Sequence, residues 1–460
     1  MTHAVRSTLR LWFGLADPVD RRSYAVSGFS LMAAKYALDA AAVWLVAGRS
    51  WTPLDYLNPF ATLRQQSLEG AWLLVALGLW SLPFLWIALS MTLRRALDAG
   101  RSPWLSLLVL LPGVNYLLML ALCAARSRER APARRAFDVG AEAHLRSALL
   151  GVAAGVAAGV VIAVAMVIVS VELWRSYGAT LFFLTPTVIG AIGGYLHNRP
   201  QLRPLGETII VATLTVLLAG GALLLFALEG VMCLLMVFPL AHAAALLGAL
   251  LGRAIAGSGA GTPAQALLVA AALPLLAGFD ALPSESPLYE VASSVEVDAP
   301  PARVWQHVIA FEQLPPPHEL VFRTGIAYPV RARIEGRGVG ALRYCEFSTG
   351  AFVEPITRWD EPHALGFDVA SQPAPMLEQS PYGPIVTPHL DGYFRSVRGE
   401  FRLVALPGGR TRLEGSTWYA LDLQPRSYFR VWSDALVSRI HLRVLEHVKR
   451  LAESERPTSP

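Results

Sequence analysis

The chain has 460 residues, of which 54% are hydrophobic and only 16% charged, with a mean hydropathy of +0.44. Soluble proteins carry about 25% charged residues, so this composition excludes an ordinary water-soluble enzyme, and it excludes a mainly disordered chain. The net charge of +5 is small for the length. The 39 basic side chains include two lysines, Lys35 and Lys449, and the rest are arginine. In so apolar a chain, excess arginine marks cytoplasmic loops and gives no reason to expect a nucleic-acid partner. Three cysteines exclude a disulfide framework and a four-cysteine zinc site.

Up to about Leu282 the chain is a series of long apolar runs. A bilayer core of about 30 Å takes roughly 20 helical residues. Spans are expected at Ala25–Val46, Gly70–Leu93, Ser147–Val171, Ala179–Leu196, Thr208–Leu228 and Val231–Leu251, with weaker candidates at Trp104–Ala124 and Ala264–Phe279. The stretch after Arg6 and Arg10 is too short and too polar for a signal peptide, so the first span is expected to act as an uncleaved anchor. Lys35 and Asp39 lie one helical turn apart in that span, where a charge costs at least about 2.5 kcal/mol. They form either an intramembrane proton or ligand site or a mutually neutralised ion pair. Gly151, Gly155 and Gly159 make small-xxx-small steps and mark a helix-packing face. Pro239 and His242 share one helix with no second histidine near them and are read as structural.

Arginine placement orients the helices. Arg6, Arg10, Arg21 and Arg22 put the N-terminus in the cytoplasm, and two spans later Arg94, Arg95 and Arg101 are inside again. The next loop carries Arg126, Arg128, Arg130, Arg134, Arg135 and Arg146, which a single crossing at Trp104–Ala124 would carry outside. Pro112-Gly113 divides that segment, so we expect a re-entrant hairpin, seven spans in all, and an extracytoplasmic C-terminal domain. Eight plain spans with a cytoplasmic domain is the rival arrangement.

Arg94-Arg-Ala-Leu-Asp-Ala-Gly-Arg-Ser-Pro-Trp104, then Leu111-Pro-Gly113, together with the upstream Asp20-Arg-Arg-Ser-Tyr24, resembles a small bacterial inner-membrane family of unknown function (domain of unknown function 805) over about residues 13–125. Ala96 stands where that family has histidine, and Pro103 where it has glycine. The resemblance implies a multi-pass protein of the bacterial inner membrane and names no reaction.

Beyond a Pro/Ser-rich linker at 283–287 the pattern changes. Tyr289–Asp298 alternates as a strand, and Ala299–Trp305 opens a short helix running to about Phe311. Strands are expected at Ala327–Ile334, Ala341–Phe347, Ala351–Trp359 and Ala364–Ala370. Two longer ones, Gly392–Leu406 and Arg410–Leu423, are joined by a Pro407-Gly-Gly409 turn. A long helix from Pro425 to Ala452 repeats Trp432, Leu436, Ile440, Val444, Val448 and Leu451 at three- and four-residue spacing. The organisation is thus an N-terminal membrane segment (1–130), further transmembrane helices (131–282), the linker, and an α+β domain (288–456).

This order, with Val295-Glu-Val-Asp-Ala-Pro-Pro-Ala-Arg-Val-Trp305 at its start and Gly409-Arg-Thr-Arg-Leu-Glu414 late in it, resembles the SRPBCC superfamily (START-like, polyketide-cyclase-like). The resemblance implies a helix-grip fold: a curved antiparallel sheet wrapped around a long C-terminal helix, enclosing a cavity for lipids, polyketides or other apolar ligands. The stretch Leu314-Pro-Pro-Pro-His318 departs from common members at the cavity mouth. Candidate cavity residues are Tyr344, Phe352, Tyr393, Trp418, Trp432 and His441, with His389, Glu414 and Tyr419 as further neighbours. Glu346 and Glu354, on adjacent strands, suit the general-base work of a cyclase or dehydratase if the domain is an enzyme. Otherwise they pair across the outer face with arginines such as Arg343, Arg402 and Arg412. No metal site is expected, because no His/Glu pair has helical or hairpin ligand spacing and Cys345 has no partner. No cofactor is expected either. The expected partners are the lipid bilayer and a hydrophobic small molecule or lipid. The reading is a membrane-anchored carrier or binding protein, with the enzyme second and a membrane sensor or scaffold third.

Overall fold

The computed structural model describes residues 3–15, 17–48, 50–53, 71–111, 113–127, 141–282 and 286–454. Pro112, Arg128, Arg130, Arg134, Arg135 and residues 283–285 of the expected linker lie outside the described residues. The chain forms two compact units. The first holds the helices before Leu282 apart from Ala227–Met236, and the second takes in Ala227–Met236 and the chain from Pro283 onward.

The helices of the first unit are α1 (His3–Phe13), α2 (Arg21–Ala47), α3 (Ala71–Asp98), α4 (Val114–Ala124), α5 (Ala141–Ile168), α6 (Thr185–Asn198), α7 (Leu205–Leu225), α8 (Val231–Ser258, which begins in the second unit) and α9 (Pro263–Asp280). Six stretches among the described residues are long and apolar enough to cross a bilayer: Arg21–Val46, Leu150–Leu173, Thr180–Asn198, Leu205–Leu225, Val231–Ser258 and Pro263–Asp280. α3 is 28 residues long, about 42 Å at 1.5 Å per residue.

Trp104–Ala124 is not one helix. Pro103–Leu110 is a 3-10 helix, and α4 starts only after Gly113, whose φ of 81° a side chain would oppose. Each piece covers about 16 Å, half of a bilayer core. Arg95 governs the path. Its side chain is fully buried, and its Nε donates to the Leu122 carbonyl at 3.1 Å. Its other nitrogens hold the Ala125 carbonyl, Asp98 and, at 3.3 Å, the Ser127 hydroxyl. The segment therefore leaves the end of α3 and returns to it.

Arg94, also buried, reaches the other way, to the carbonyls of Leu11 and, at 3.3 Å, Asp17. Asp20 caps α2 by accepting from the Arg22 and Ser23 amides at 2.9 and 3.0 Å, and Tyr24 Oη meets Thr92 Oγ1 at 2.9 Å. The residues shared with the inner-membrane family thus bind α2, α3 and the broken segment together.

The remaining helices pack through small residues. A Cβ on Gly155 would lie 3.1 Å from the Cα of Gly193, and one on Gly248 only 1.9 Å from the Thr187 carbonyl oxygen. Backbone lies against backbone between α5 and α6 and between α6 and α8. Lys35 and Asp39 pair with each other on α2, and His242 stacks on Phe238 within α8 with ring centroids 5.3 Å apart.

The second unit is a seven-stranded antiparallel sheet with one long helix. Its strands are β1 (Leu288–Val297), β2 (Pro329–Glu335), β3 (Leu342–Phe347), β4 (Gly350–Asp360), β5 (Ala364–Asp368), β6 (Glu378–Ser380), β7 (Gly383–Ile385), β8 (Phe394–Leu406) and β9 (Arg410–Leu421). The sheet order is β1-β9-β8-β5-β4-β3-β2, and β6 and β7 form a separate small hairpin that alternation does not reveal. Register shifts at Ile356/Arg358 and Ser396/Arg398 bend the sheet into a half-barrel. The β8–β9 turn is made by Gly408 and Gly409, both at positive φ.

α10 (Pro301–Ile309) and α11 (Arg426–Ser454) complete the helix-grip fold. The C-terminal half of α11 (Val444, Leu445, Val448, Ala452) packs into a solid core with Val304, Trp305 and Val308 of α10. Its N-terminal half (Trp432, Leu436, Ile440) meets Phe322, Ile326, Met232 and Met236 in a separate cluster. Tyr419 Oη donates to Asp434 Oδ1 at 2.5 Å, and Arg430 Nε donates to Oδ2 at 3.1 Å, which fixes that end of the helix to β9.

Arg95→Met would leave the Leu122 and Ala125 carbonyls without their donor and Asp98 without its counter-ion. We expect a loss of about 3 kcal/mol of stability, read as a lowered melting temperature in detergent. Arg95→Lys recovers part of it.

Candidate functional site

Between the inner face of the sheet and the N-terminal half of α11 lies a cavity of about 200 Å³. Strand periodicity decides what lines it. On β3 the residues of one parity, Arg343, Cys345 and Phe347, face in, and opposite them on β4 stand Phe352 and Glu354. The helix contributes Trp432, Leu436, Ile440 and His441.

Most of this wall is apolar; its polar members include Gln372, His389, Arg398, Glu400 and His441, and among them is one buried ion pair. Arg343 and Glu354 are direct cross-strand partners, joined by a salt bridge, with side chains only 2% and 7% exposed. The guanidinium also lies 5.8, 5.4 and 5.5 Å from the ring centres of Phe311, Phe367 and Phe401. Burial raises the Glu354 carboxyl above its ordinary range, and Arg343 opposes that shift. Burial, with Glu354 nearby, pushes the Cys345 thiol up to about 12, so it is no nucleophile at neutral pH. His441 Nε2 meets Thr417 Oγ1 at 2.7 Å, and burial lowers its pKa to about 4, which keeps the imidazole neutral.

The cavity brings together Phe352, Trp432, His441, His389 and Glu354 of the residues expected from sequence. Tyr344, Trp418, Tyr393 and Glu346 are corrected by geometry. Tyr344 has the opposite parity to Arg343 and lies under the Arg333 guanidinium, 4.0 Å from its ring centre. Trp418 likewise alternates away from Thr417 and is covered by Arg398 at 4.3 Å. Tyr393 precedes β8 and pairs through its backbone with Asp422. Glu346 sits on the outer face, taking Arg331 Nε at 2.6 Å and Arg333 Nε at 3.5 Å, and those arginines hold its carboxyl below the usual range. Glu414 pairs outside with Arg412 at 2.7 Å. Arg343 is the exception among the arginines expected outside: it shares its parity with Cys345 and Phe347, and the folded sheet turns that face inward.

A second polar cluster in this unit joins residues far apart in sequence. His389 Nδ1 lies 3.2 Å from Glu229 Oε2, and its Nε2 lies 3.5 Å from Glu378 Oε1 and 3.4 Å from Thr387 Oγ1. Burial works against a charge on His389, but the two carboxylates outweigh it and lift the imidazole to about 9.

Residues 13–134 match a family described as protein of unknown function (DUF805), and residues 289–453 match a family described as polyketide cyclase / dehydrase and lipid transport. The C-terminal domain resembles the cyclase and lipid-transport family. Solved structures align with it at low identity. Truncated norcoclaurine synthase from Thalictrum flavum is 11% identical over 38% of this chain and 99% of its own, with a TM-score of 0.25. The Zhui aromatase/cyclase from a Streptomyces species is 16% identical over 37% of this chain and 97% of its own, with a TM-score of 0.24. No curated protein matches the chain.

Two outcomes follow from the buried groups. Arg343→Met strands Glu354 as an unpaired buried carboxylate and costs about 3–5 kcal/mol in a denaturation experiment, whereas the double variant R343M/E354L recovers most of that loss. For His441 the folded pKa lies below the unfolded one, so its contribution is complete above pH 6.5 and is lost as pH falls toward about 4. A melting curve measured across that window should lose no more than about 3 kcal/mol from this group, and H441N should flatten the dependence.

Proposed function

We propose that this is a membrane-anchored binding or carrier protein whose C-terminal domain holds an apolar small molecule or lipid. The observation that carries the reading is the cavity under α11, lined largely by aromatic and aliphatic side chains with the buried Arg343–Glu354 pair in its wall. A ligand that is mostly hydrocarbon with one carbonyl or carboxylate would bury its body against Phe352, Trp432 and Leu436. Its oxygen would be turned toward Arg343. Such a ligand partitions into bilayers, so the attached membrane helices keep the binding domain where the ligand is concentrated.

One observation favours the enzyme as the second reading: Glu354 faces the cavity with a raised pKa, as a general base for proton abstraction beside a carbonyl needs. Its ion pair with Arg343 weighs against it, because a base held in a salt bridge is a weak one. The carrier reading predicts extractable lipid in the purified chain, or a fluorescent fatty-acid probe bound with about one site per chain. L436W, which fills the cavity, should reduce binding without lowering the melting temperature by more than a few degrees. Failure of the unmodified chain to bind any lipid or probe would sink the reading.

The proposal also gives the domain a side, in the inner membrane of a bacterium. What supports an extracytoplasmic location is the Arg95 clamp, which returns the 104–124 segment to the end of α3, so that Arg126, the first arginine after it, stands on the side of Arg94 and Arg101. From there α5 to α9 cross five times, an odd number. Arg253 donates to the Arg203 carbonyl at 2.9 Å, and Tyr195 Oη to that of Gly261 at 2.8 Å, which agrees with these ends lying together on the arginine-rich side. A phosphatase fused after Pro460 should be active and a fluorescent protein there dark; the opposite pattern would refute the assignment.

A further inference from the structure

The loop between α7 and α8 and the start of α8 carry polar side chains that the carrier reading does not use. Gly230 admits the Glu378 carboxylate so closely that a Cβ there would lie 2.0 Å from Glu378 Oε2. With that approach open, Glu378 accepts the Met232 and Cys233 amides at 3.1 and 2.9 Å and ties the β6–β7 hairpin to the first turn of α8. Glu229 and Cys233, four residues apart, then face His389, and one ligand atom from each of the three lies within 4.8 Å of the other two. Side-chain exposure is 6% for Glu229, 6% for His389 and zero for Glu378.

We propose that Glu229, Cys233 and His389 form a site for a divalent transition metal, zinc by its ligand chemistry. A thiolate, an imidazole and a carboxylate are the donor types zinc takes in four-coordinate sites. Tetrahedral bonds of about 2.0 Å put a nitrogen and an oxygen ligand about 3.3 Å apart. The observed separation of His389 Nδ1 and Glu229 Oε2 is 3.2 Å, so this edge is already of metal-site length. The third corner, Cys233, has its sulfur within 4.8 Å of the other two ligand atoms, and a bound ion would draw it closer. Glu378 is not a ligand in this arrangement. Its oxygens are engaged by the α8 amides, and it faces His389 Nε2, where an acceptor orients the ring and leaves Nδ1 for the metal. Three protein ligands leave one position for water or for an oxygen of a guest, and His389 also lines the cavity. A bound ion would fasten the α7–α8 loop and the start of α8 to the C-terminal domain, a folding contribution separate from ligand binding.

The experiment uses the full chain in detergent, stripped with a chelator and titrated with cobalt(II) and then zinc(II), with no apolar ligand added. The expected result is one cobalt per chain, a thiolate-to-cobalt charge-transfer band in the near ultraviolet, displacement by zinc, and a raised melting temperature. C233S, nearly isosteric, should lose the thiolate band while keeping its far-ultraviolet circular dichroism, and H389A should weaken cobalt binding by about 100-fold or more. Absence of stoichiometric metal in the unmodified chain, a cobalt spectrum without the thiolate band, or binding unchanged in H389A would each overturn the site and leave His389 an ion-pair partner only. None of these readouts depends on the lipid-binding assay, so the two proposals fail separately.

Discussion

A guanidinium taken out of water has to find acceptors for its donors, and in this chain that requirement shapes each unit from within. Arg95 is buried completely and meets it with backbone carbonyls at the end of α4, so the chain must turn back toward α3. Arg94, beside it, meets the same requirement with the carbonyls before α2. Arg343 repeats the pattern in the second unit with one carboxylate and three aromatic faces in place of carbonyls.

The cavity follows from a division of labour along α11. Its C-terminal half carries Val444, Leu445 and Val448 into close contact with α10 and the sheet, and that packing anchors the helix. The other half is held at its edge by the Tyr419–Asp434–Arg430 network. The helix is thus fixed at two places with space between it and β3 and β4. Most side chains around that space are apolar, and the Arg343–Glu354 pair is a buried polar anchor in its wall.

Glu346 and Glu354 illustrate how little separates a surface group from a site. They are eight residues apart, on neighbouring strands, both beside arginines. Glu346 shares its parity with Tyr344 and faces water, where Arg331 and Arg333 favour its charged form. Glu354 faces inward, where burial disfavours the same charge. The difference lies in which face of a pleated strand each residue occupies, and a register slip of one residue would exchange them.

The amino-acid sequence by itself determined the elements and their order. Apolar runs of bilayer length, the Gly155 packing face, the alternating strands, the Pro407-Gly-Gly409 turn and the amphipathic final helix are all written in local periodicity, which depends on neighbours in the chain. The short β6–β7 hairpin was invisible because three-residue strands have no period to read. The inward face of each strand was only half legible: alternation separates Arg343 from Tyr344 but does not say which of the two meets the helix. Tertiary structure alone decided that Arg343 is inside, that Arg95 closes the broken segment, and that His389 meets Glu229 and Cys233. Those contacts join residues from 11 to about 160 positions apart, and no local pattern encodes a distance that only the folded chain creates.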